Sequence, residues 1–240
     1  IEIPLIGVVT GAAAGVMMSD ITTFFRDGHE RKVVDLFGRA AKKSSLILYP
    51  IMIAFFVLAD DVMVTIYSDE YLESSVPFRI YLFLLPFRVV LYGAVLQGAG
   101  RSRLILVSSA MALVVNVILS VILVRKLGYS GAAIGTVVTV GGFLVPFLLV
   151  QIARTTRVSV WKVLPYFDLL KRFMASALCG VIPFLLLRYA GEGWYSQVRL
   201  VVGGAAYGLS LAVVFQVFGF MDIRNWSQYL VRKKSGSGAD

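Results

Sequence analysis

The chain has 240 residues, of which 58% are hydrophobic and only 15% charged, whereas a typical soluble domain is about 45–50% apolar and about 25% charged. The excess falls in blocks long enough to cross a bilayer as helices, which takes roughly 20 apolar residues, so the composition excludes an ordinary soluble protein. The net charge of +9 does not indicate a nucleic-acid partner, because the cations lie between apolar blocks and form no basic stripe interleaved with aromatics.

Seven apolar blocks follow one another, and only helices suit them, because the strands of a membrane barrel would show alternating segments of about ten residues. The predicted spans are residues 3–25, 45–59, 80–97, 104–124, 131–153, 173–187 and 199–220. The second is short because Asp60 and Asp61 interrupt it. The segment 26–43 before it is predicted to be an amphipathic interfacial helix, with Val33, Val34, Leu36 and Phe37 on its apolar side.

The fold predicted from these blocks is an all-α integral membrane protein with seven transmembrane helices. Residues 1–152 are assigned five of them, 153–172 a basic cytoplasmic linker, 173–220 two additional helices and 221–240 a cytoplasmic tail. The chain starts at Ile1, inside an apolar run and without a methionine. We therefore expect further helices of the same protein to precede it.

The loops predict the orientation of the chain in the membrane. Seventeen of the 23 lysines and arginines fall in the first, third and fifth loops and the C-terminal tail. Because cytoplasmic loops carry an excess of Lys and Arg, these segments are predicted to be cytoplasmic. The chain is therefore expected to cross the membrane several times and to end in the cytoplasm.

No catalytic or metal-binding pattern is present in the sequence, so we expect neither an enzyme nor a cofactor. The outer segment "ADDVMVTIYSDEYLESS" is acidic, but Val64 stands where a diphosphate-binding DDxxD pattern requires an acid. Its carboxylates are therefore predicted to be solvated loop charges. His29 is the only histidine and Cys179 the only cysteine, and the latter is predicted to pack as a small hydrophobic side chain.

Arg88 is the feature that most requires an explanation, because it lies near the middle of the third span. A central arginine costs about 2.5–3.5 kcal/mol on insertion scales. Tyr81, Arg88 and Tyr92 are spaced i, i+7, i+11, which places them on one helical face, and Pro86 is predicted to kink the helix. Such a polar stripe indicates an anion-binding cavity or a buried partner.

Two further polar residues lie within the predicted spans. Asn116 is predicted either to bridge two helices, which is the commoner role, or to contact a ligand. Asp20, near the cytoplasmic end of the first span, is a candidate proton or cation site, a distant partner for Arg88, or an interfacial residue. Glycine pairs spaced by three residues, Gly11 with Gly15 and Gly131 with Gly135, predict close helix packing, and Gly203, Gly204 and Gly208 are expected to act similarly.

Three stretches together resemble the C-terminal half of polysaccharide-biosynthesis flippases. They are "LYPIMIAFFVLADDVMVTIYSDEY", "FRIYLFLLPFRVVLYGAVLQGAGRSR" and "NVILSVILVRKLGYSGAAIGT". These flippases belong to the multidrug/oligosaccharidyl-lipid/polysaccharide exporter superfamily, which includes lipid II flippases and multidrug extruders. The resemblance covers most of residues 1–152 and departs from the family pattern at "VMMSD", where Met17 and Met18 replace a proline.

The resemblance implies a MATE-like fold, of which this chain is the C-terminal lobe plus two extra helices. It also implies a carrier of undecaprenyl-diphosphate-linked oligosaccharide repeat units, as used for O-antigen and lipopolysaccharide, with membrane lipids as its other partners. In such a carrier Arg88 would attract the diphosphate, while Tyr81, Tyr92 and Asn116 would contact the substrate. The alternatives are a cation-coupled multidrug extruder that uses Asp20, a non-transporting membrane scaffold subunit, and a seven-helix receptor.

Overall fold

The computed structural model describes residues 18–191 and 193–217, and these are almost entirely helical. The helices, in chain order, are α1 (18–26), α2 (Glu30–Val57), α3 (Ala59–Tyr67), α4 (Ser75–Leu82), α5 (Tyr92–Gly98), α6 (Ser102–Leu127), α7 (Ser130–Val138), α8 (Val145–Thr156), α9 (Val160–Val163), α10 (Tyr166–Tyr189) and α11 (Ser196–Val217). Two 3₁₀ turns (Asp69–Ser74 and Leu85–Arg88) and one π-helical segment (Thr139–Leu144) complete them.

Five helical stretches in the described part of the chain are long and apolar enough to cross a membrane. They are Glu30–Val57, Ser102–Leu127, Ser130–Thr156, Tyr166–Tyr189 and Ser196–Val217. The pair Asp69–Leu82 and Leu85–Gly98, bent by 41°, makes a sixth if it is one broken span. Most of the predicted first span, 3–25, lies outside the described residues, as do the tail 221–240 and the pair Gly11 and Gly15.

The second predicted span differs from the structure, in which the supposed interfacial helix and the span are one continuous helix, α2. No proline or glycine pair interrupts residues 30–49, so the helix continues. Val33, Phe37, Ala41 and Leu48 are buried along one side of it. This apolar stripe therefore packs inside the protein, in the same core as Val163 and Leu164, rather than in a lipid headgroup layer.

Contacts between loops define two ends of the bundle. The third and fifth loops meet at one end and the second and fourth at the other, as the predicted orientation requires. At one end, Arg101 donates a hydrogen bond to the Thr155 hydroxyl over 3.1 Å, which joins the third and fifth loops. At the other end, the Tyr129 hydroxyl lies 3.3 Å from a carboxylate oxygen of Glu73, which joins the second and fourth. The predicted cytoplasmic linker 153–172 is mostly helical in the structure, with α9 and the start of α10 inside it.

The glycine pair Gly131 and Gly135 brings α6 and α7 into close contact, as predicted. A Cβ added at Gly131 would lie 2.3 Å from the backbone of Leu123, and one at Gly135 would lie 2.7 Å from the Ser120 hydroxyl. The expectation for α11 holds in part. Gly203 packs closely against Leu58 and Leu187, whereas Gly204 and Gly208 have no heavy atom within 4 Å of an added Cβ.

We expect Gly131→Ala to destabilise the protein by about 1–3 kcal/mol, because the new methyl group must displace the backbone of α6. Gly142→Ala is the matched control in the same span, because an added Cβ there meets nothing within 4 Å. Thermal unfolding in detergent measures both. Equal melting temperatures for the two variants would contradict the close contact.

Candidate functional site

The helix that contains Arg88 is broken, and the break is the most irregular part of the described spans. Residues 83–91 separate α4 from α5, and the 3₁₀ turn Leu85–Arg88 lies within them. Pro86 has no backbone N–H to donate and cannot continue an α-helix without a clash. The backbone instead forms hydrogen bonds to the carbonyl three residues back, and the amide of Phe87 donates to the Leu84 carbonyl over 3.1 Å. The predicted kink at Pro86 is therefore a complete interruption.

The interruption removes the shared helical face predicted for Tyr81, Arg88 and Tyr92. Tyr81 lies on α4 before the break and is exposed, while Tyr92 opens α5 and is only 8% exposed. The Tyr92 ring packs edge-on against Phe37 of α2, with centroids 5.9 Å apart. The i, i+7, i+11 prediction was wrong here because it assumes one unbroken helix. Whether these three residues bind a ligand stays a prediction.

Arg88 itself is exposed, although the turn that carries it packs against α2. The next two residues, Val89 and Val90, are buried in the main hydrophobic core. No carboxylate in the part of the chain that the structure describes forms an ion pair with Arg88. The guanidinium is thus held beside the protein core by its neighbours, yet its charge is left accessible.

A second irregular segment faces the break. The π-helical segment Thr139–Leu144 lies between α7 and α8, and Phe87 of the break lies against it. A Cβ added at Gly141 would lie 2.5 Å from the Phe87 ring, so only glycine permits this contact. Such π-segments within helices are frequent at functional sites. The sequence analysis did not identify this segment, although the Gly141–Gly142 pair within an apolar span is a signal for it.

The structure places Asn116 in a contact between helices. Its amide nitrogen on α6 donates to the Thr136 hydroxyl on α7 over 3.2 Å. The Thr136 hydroxyl in turn donates to the Ala132 carbonyl over 3.0 Å. The amide nitrogen is therefore used in the seam that Gly131 and Gly135 bring together, which fits the interface role, and a contact of Asn116 with substrate stays a prediction.

Asp20 is exposed on α1, and no cation among the described residues pairs with it. It does not reach Arg88 through an ion pair, so the structure gives no support to the distant-partner prediction. Its role as a proton or cation site stays a prediction. Across residues 18–191 and 193–217 the structure brings no three His, Cys, Asp or Glu side chains together in a way that could hold a metal ion.

Two ion pairs at the end of the bundle with the second and sixth loops were missed from the sequence. Asp60 accepts a hydrogen bond from Arg79 over 2.9 Å, and the adjacent Asp61 accepts one from Arg199 over 2.8 Å. The prediction of solvated charges holds for the exposed Asp69, but it was wrong for Asp61, which is 5% exposed. The available signal was that the charge pattern places all four partners on one side of the membrane.

The two carboxyl groups differ in pKa because their surroundings differ. Burial disfavours ionisation of Asp60, but its hydrogen bonds to Arg79 and Ser75 outweigh this and lower its pKa. Burial raises the pKa of Asp61, and the hydrogen bond from Arg199 offsets this only in part. The ion pair of Asp61 with Arg199 thus links α3 to the start of α11. Burial disfavours the charged form of Asp61, and Arg199 stabilises that form.

We expect Arg199→Gln to destabilise the protein by about 3 kcal/mol at neutral pH, because it leaves a buried carboxylate unpaired. Arg79→Gln is the matched control and is expected to cost about 1 kcal/mol, because its pair is more exposed. In Arg199→Gln the folded-state pKa of Asp61 lies above its unfolded value, so stability rises as pH falls through that folded pKa. Unfolding measured from neutral to acidic pH tests this, and a pH-independent cost would contradict it.

Comparison with known proteins finds a similar fold in a solved structure. No family model matches the chain, and no curated protein matches it in sequence. A solved structure described as "Lipid II flippase MurJ, inward closed conformation" matches with a TM-score of 0.66 and 19% sequence identity. The match covers 89% of this chain but only 44% of that flippase, so the chain spans less than half the length of the protein it resembles. At this identity the likeness shows a shared fold: an all-helical, multi-pass membrane architecture of the lipid II flippase type.

Proposed function

We propose that the chain is part of a membrane flippase that moves a lipid-linked substrate between the two leaflets. The observation that carries the proposal is the fold shared with a lipid II flippase over 89% of the chain. The chain covers 44% of that flippase, so the preceding helices of the same protein are proposed to supply the other lobe. Transport would occur by rocking of the two lobes around a site near the membrane midplane.

The chemistry of Arg88 supports an anionic headgroup as the part of the substrate that is recognised. A permanently charged guanidinium pairs well with a diphosphate, because it donates several hydrogen bonds in a fixed plane. Arg88 is exposed, has no carboxylate partner among the described residues and lies on a turn held against α2. An unpaired cation at membrane depth marks a substrate or ion pathway.

The finer proposal is that the substrate is an undecaprenyl-diphosphate-linked oligosaccharide repeat unit. It rests on the resemblance in sequence pattern to polysaccharide-biosynthesis flippases and on the anion chemistry of Arg88. Tyr81, exposed on the other side of the break, is proposed to contact the sugar or diphosphate. Tyr92 is buried against Phe37 and is assigned a positioning role through α5. Localisation in the bacterial cytoplasmic membrane, with a cytoplasmic C-terminus, belongs to the same proposal.

We expect Arg88→Ala to reduce transport by roughly 10–100-fold, the range that corresponds to a lost hydrogen bond with a charged group. Arg88→Lys keeps the charge but loses the planar donor geometry, so it is expected to be intermediate. Complementation with the complete open reading frame and a leaflet-translocation assay in vesicles measure the effect.

One control variant accompanies this experiment. Arg103→Ala removes an exposed arginine at the start of α6 and is expected to retain transport. Full activity of both Arg88 variants would refute the anion site. Export of a cationic dye that Asp20→Asn abolishes and Arg88→Ala leaves unchanged would instead support the multidrug extruder.

A further inference from the structure

The short connection between α8 and α10 has two chemically different sides, and its inner side is firmly anchored. Val163 and Leu164 are buried in the main hydrophobic core. The ring of Pro165 lies 3.6 Å from where a Cβ on Gly38 would be. The Tyr166 hydroxyl donates to the Val160 carbonyl over 3.2 Å. These contacts hold the connection in one conformation against α2.

The outer side of the same connection presents two large aromatic side chains. Trp161 is 81% exposed and Phe167 is 69% exposed. The Trp161 ring meets Tyr166 edge-on, with centroids 6.0 Å apart, and the Lys171 ammonium lies 4.3 Å from the centre of the Phe167 ring. Neither Trp161 nor Phe167 contributes to the buried core of the described residues.

Exposed cations surround these aromatics, while acids are nearly absent. Four lysines and arginines of this segment are exposed: Arg154, Arg157, Lys162 and Lys171. Asp168 is the only acid between Glu73 and Glu192 in the sequence, and it forms an ion pair with Lys42 of α2. One acid against four exposed cations leaves this segment with an excess of positive charge.

An apolar stripe leads from this segment along α10. Phe167, Leu170, Met174 and Leu178 follow the spacing i, i+3, i+7, i+11, so they lie on one side of the helix, and all are at least half exposed. The helix itself is apolar and long enough to cross a membrane. Phe167 and Lys171 thus lie where a lipid-facing stripe reaches the end of its span.

We propose that Trp161, Lys162, Phe167 and Lys171 form an interfacial patch that binds anionic phospholipid headgroups. The aromatic rings occupy the headgroup layer, where tryptophan and other amphipathic aromatics are enriched. The ammonium groups contact lipid phosphates, since clustered cations at the cytoplasmic membrane surface attract anionic lipids. The continuous apolar stripe favours a membrane over a nucleic acid, because a free polyanion offers nothing to cover Leu170 and Met174. This inference does not depend on the transport proposed above.

The first test compares binding of phosphatidylglycerol and phosphatidylcholine to the detergent-purified chain, measured by native mass spectrometry or lipid titration. We expect phosphatidylglycerol to bind more tightly and Lys162→Gln/Lys171→Gln to weaken its binding about 25-fold, roughly fivefold for each charge removed. Arg125→Gln/Lys126→Gln is the matched control. It removes two exposed cations from the C-terminal end of α6, at the end of the bundle opposite the patch. An equal loss in both double variants, or equal binding of the two lipids, overturns the proposal.

The second test locates the tryptophan directly and does not depend on a loss of binding. In a Trp194→Phe/Trp226→Phe background Trp161 is the sole tryptophan, since the chain has three. In phosphatidylglycerol nanodiscs we expect lipids with a nitroxide near the headgroup to quench Trp161 fluorescence more strongly than lipids labelled deep in the acyl chain. Quenching by aqueous iodide alone, with no effect of either labelled lipid, would show that Trp161 faces water and would overturn the patch.

Discussion

The interruption at Pro86 is the constraint on which the rest of the candidate site depends. In lipid every backbone polar group must find a partner inside the protein, so an irregular stretch is tolerated only where it is buried in protein or lines a cavity. The break satisfies this in two ways. Its amides bond to carbonyls three residues back, and Val89 and Val90 insert into the core. Val89 and Val90 anchor the chain in the core, and Arg88, the residue before them, stays exposed. The same change of direction sends Tyr92 into the core and leaves Tyr81 outside it.

The two ends of the bundle use charge differently. At the end with the second and sixth loops, acids and arginines are paired across helices, Asp60 with Arg79 and Asp61 with Arg199, so charge there fastens α3 to α4 and α11. At the opposite end, Lys42 and Asp168 form a pair between α2 and α10, and Asp168 is the one acid among the cations of residues 153–172. Ion pairs therefore link helices at both ends, while the second end keeps an excess of positive charge.

Sequence reasoning predicted the helical membrane class, the grouping of loops at two ends, and the close α6–α7 contact, because hydropathy, cation placement and glycine spacing are local signals. It failed for features that depend on contacts between residues far apart in the sequence. The burial of Asp61 depends on Arg199, which is 138 residues away. The burial of the first part of α2, residues 30–43, depends on a core formed with Val163 and Leu164. The Tyr81, Arg88 and Tyr92 stripe failed for a local reason, because a proline that is expected to bend a helix ended it instead.

The contrast among the spans shows which helices lie inside the bundle. In the most apolar part of α6 only 11% of residues are buried, whereas in α2 the share is 39%. Among the described helices α6 therefore lies at the periphery of the bundle and α2 nearer its centre. The turn that carries Arg88 packs against α2, and Phe87 beside it packs on the π-helical segment. Arg88 thus lies on a turn that packs against the most buried of these helices, while its own side chain is exposed. An exposed guanidinium at a membrane-spanning segment needs water or an anion beside it, because acyl chains cannot solvate a charge.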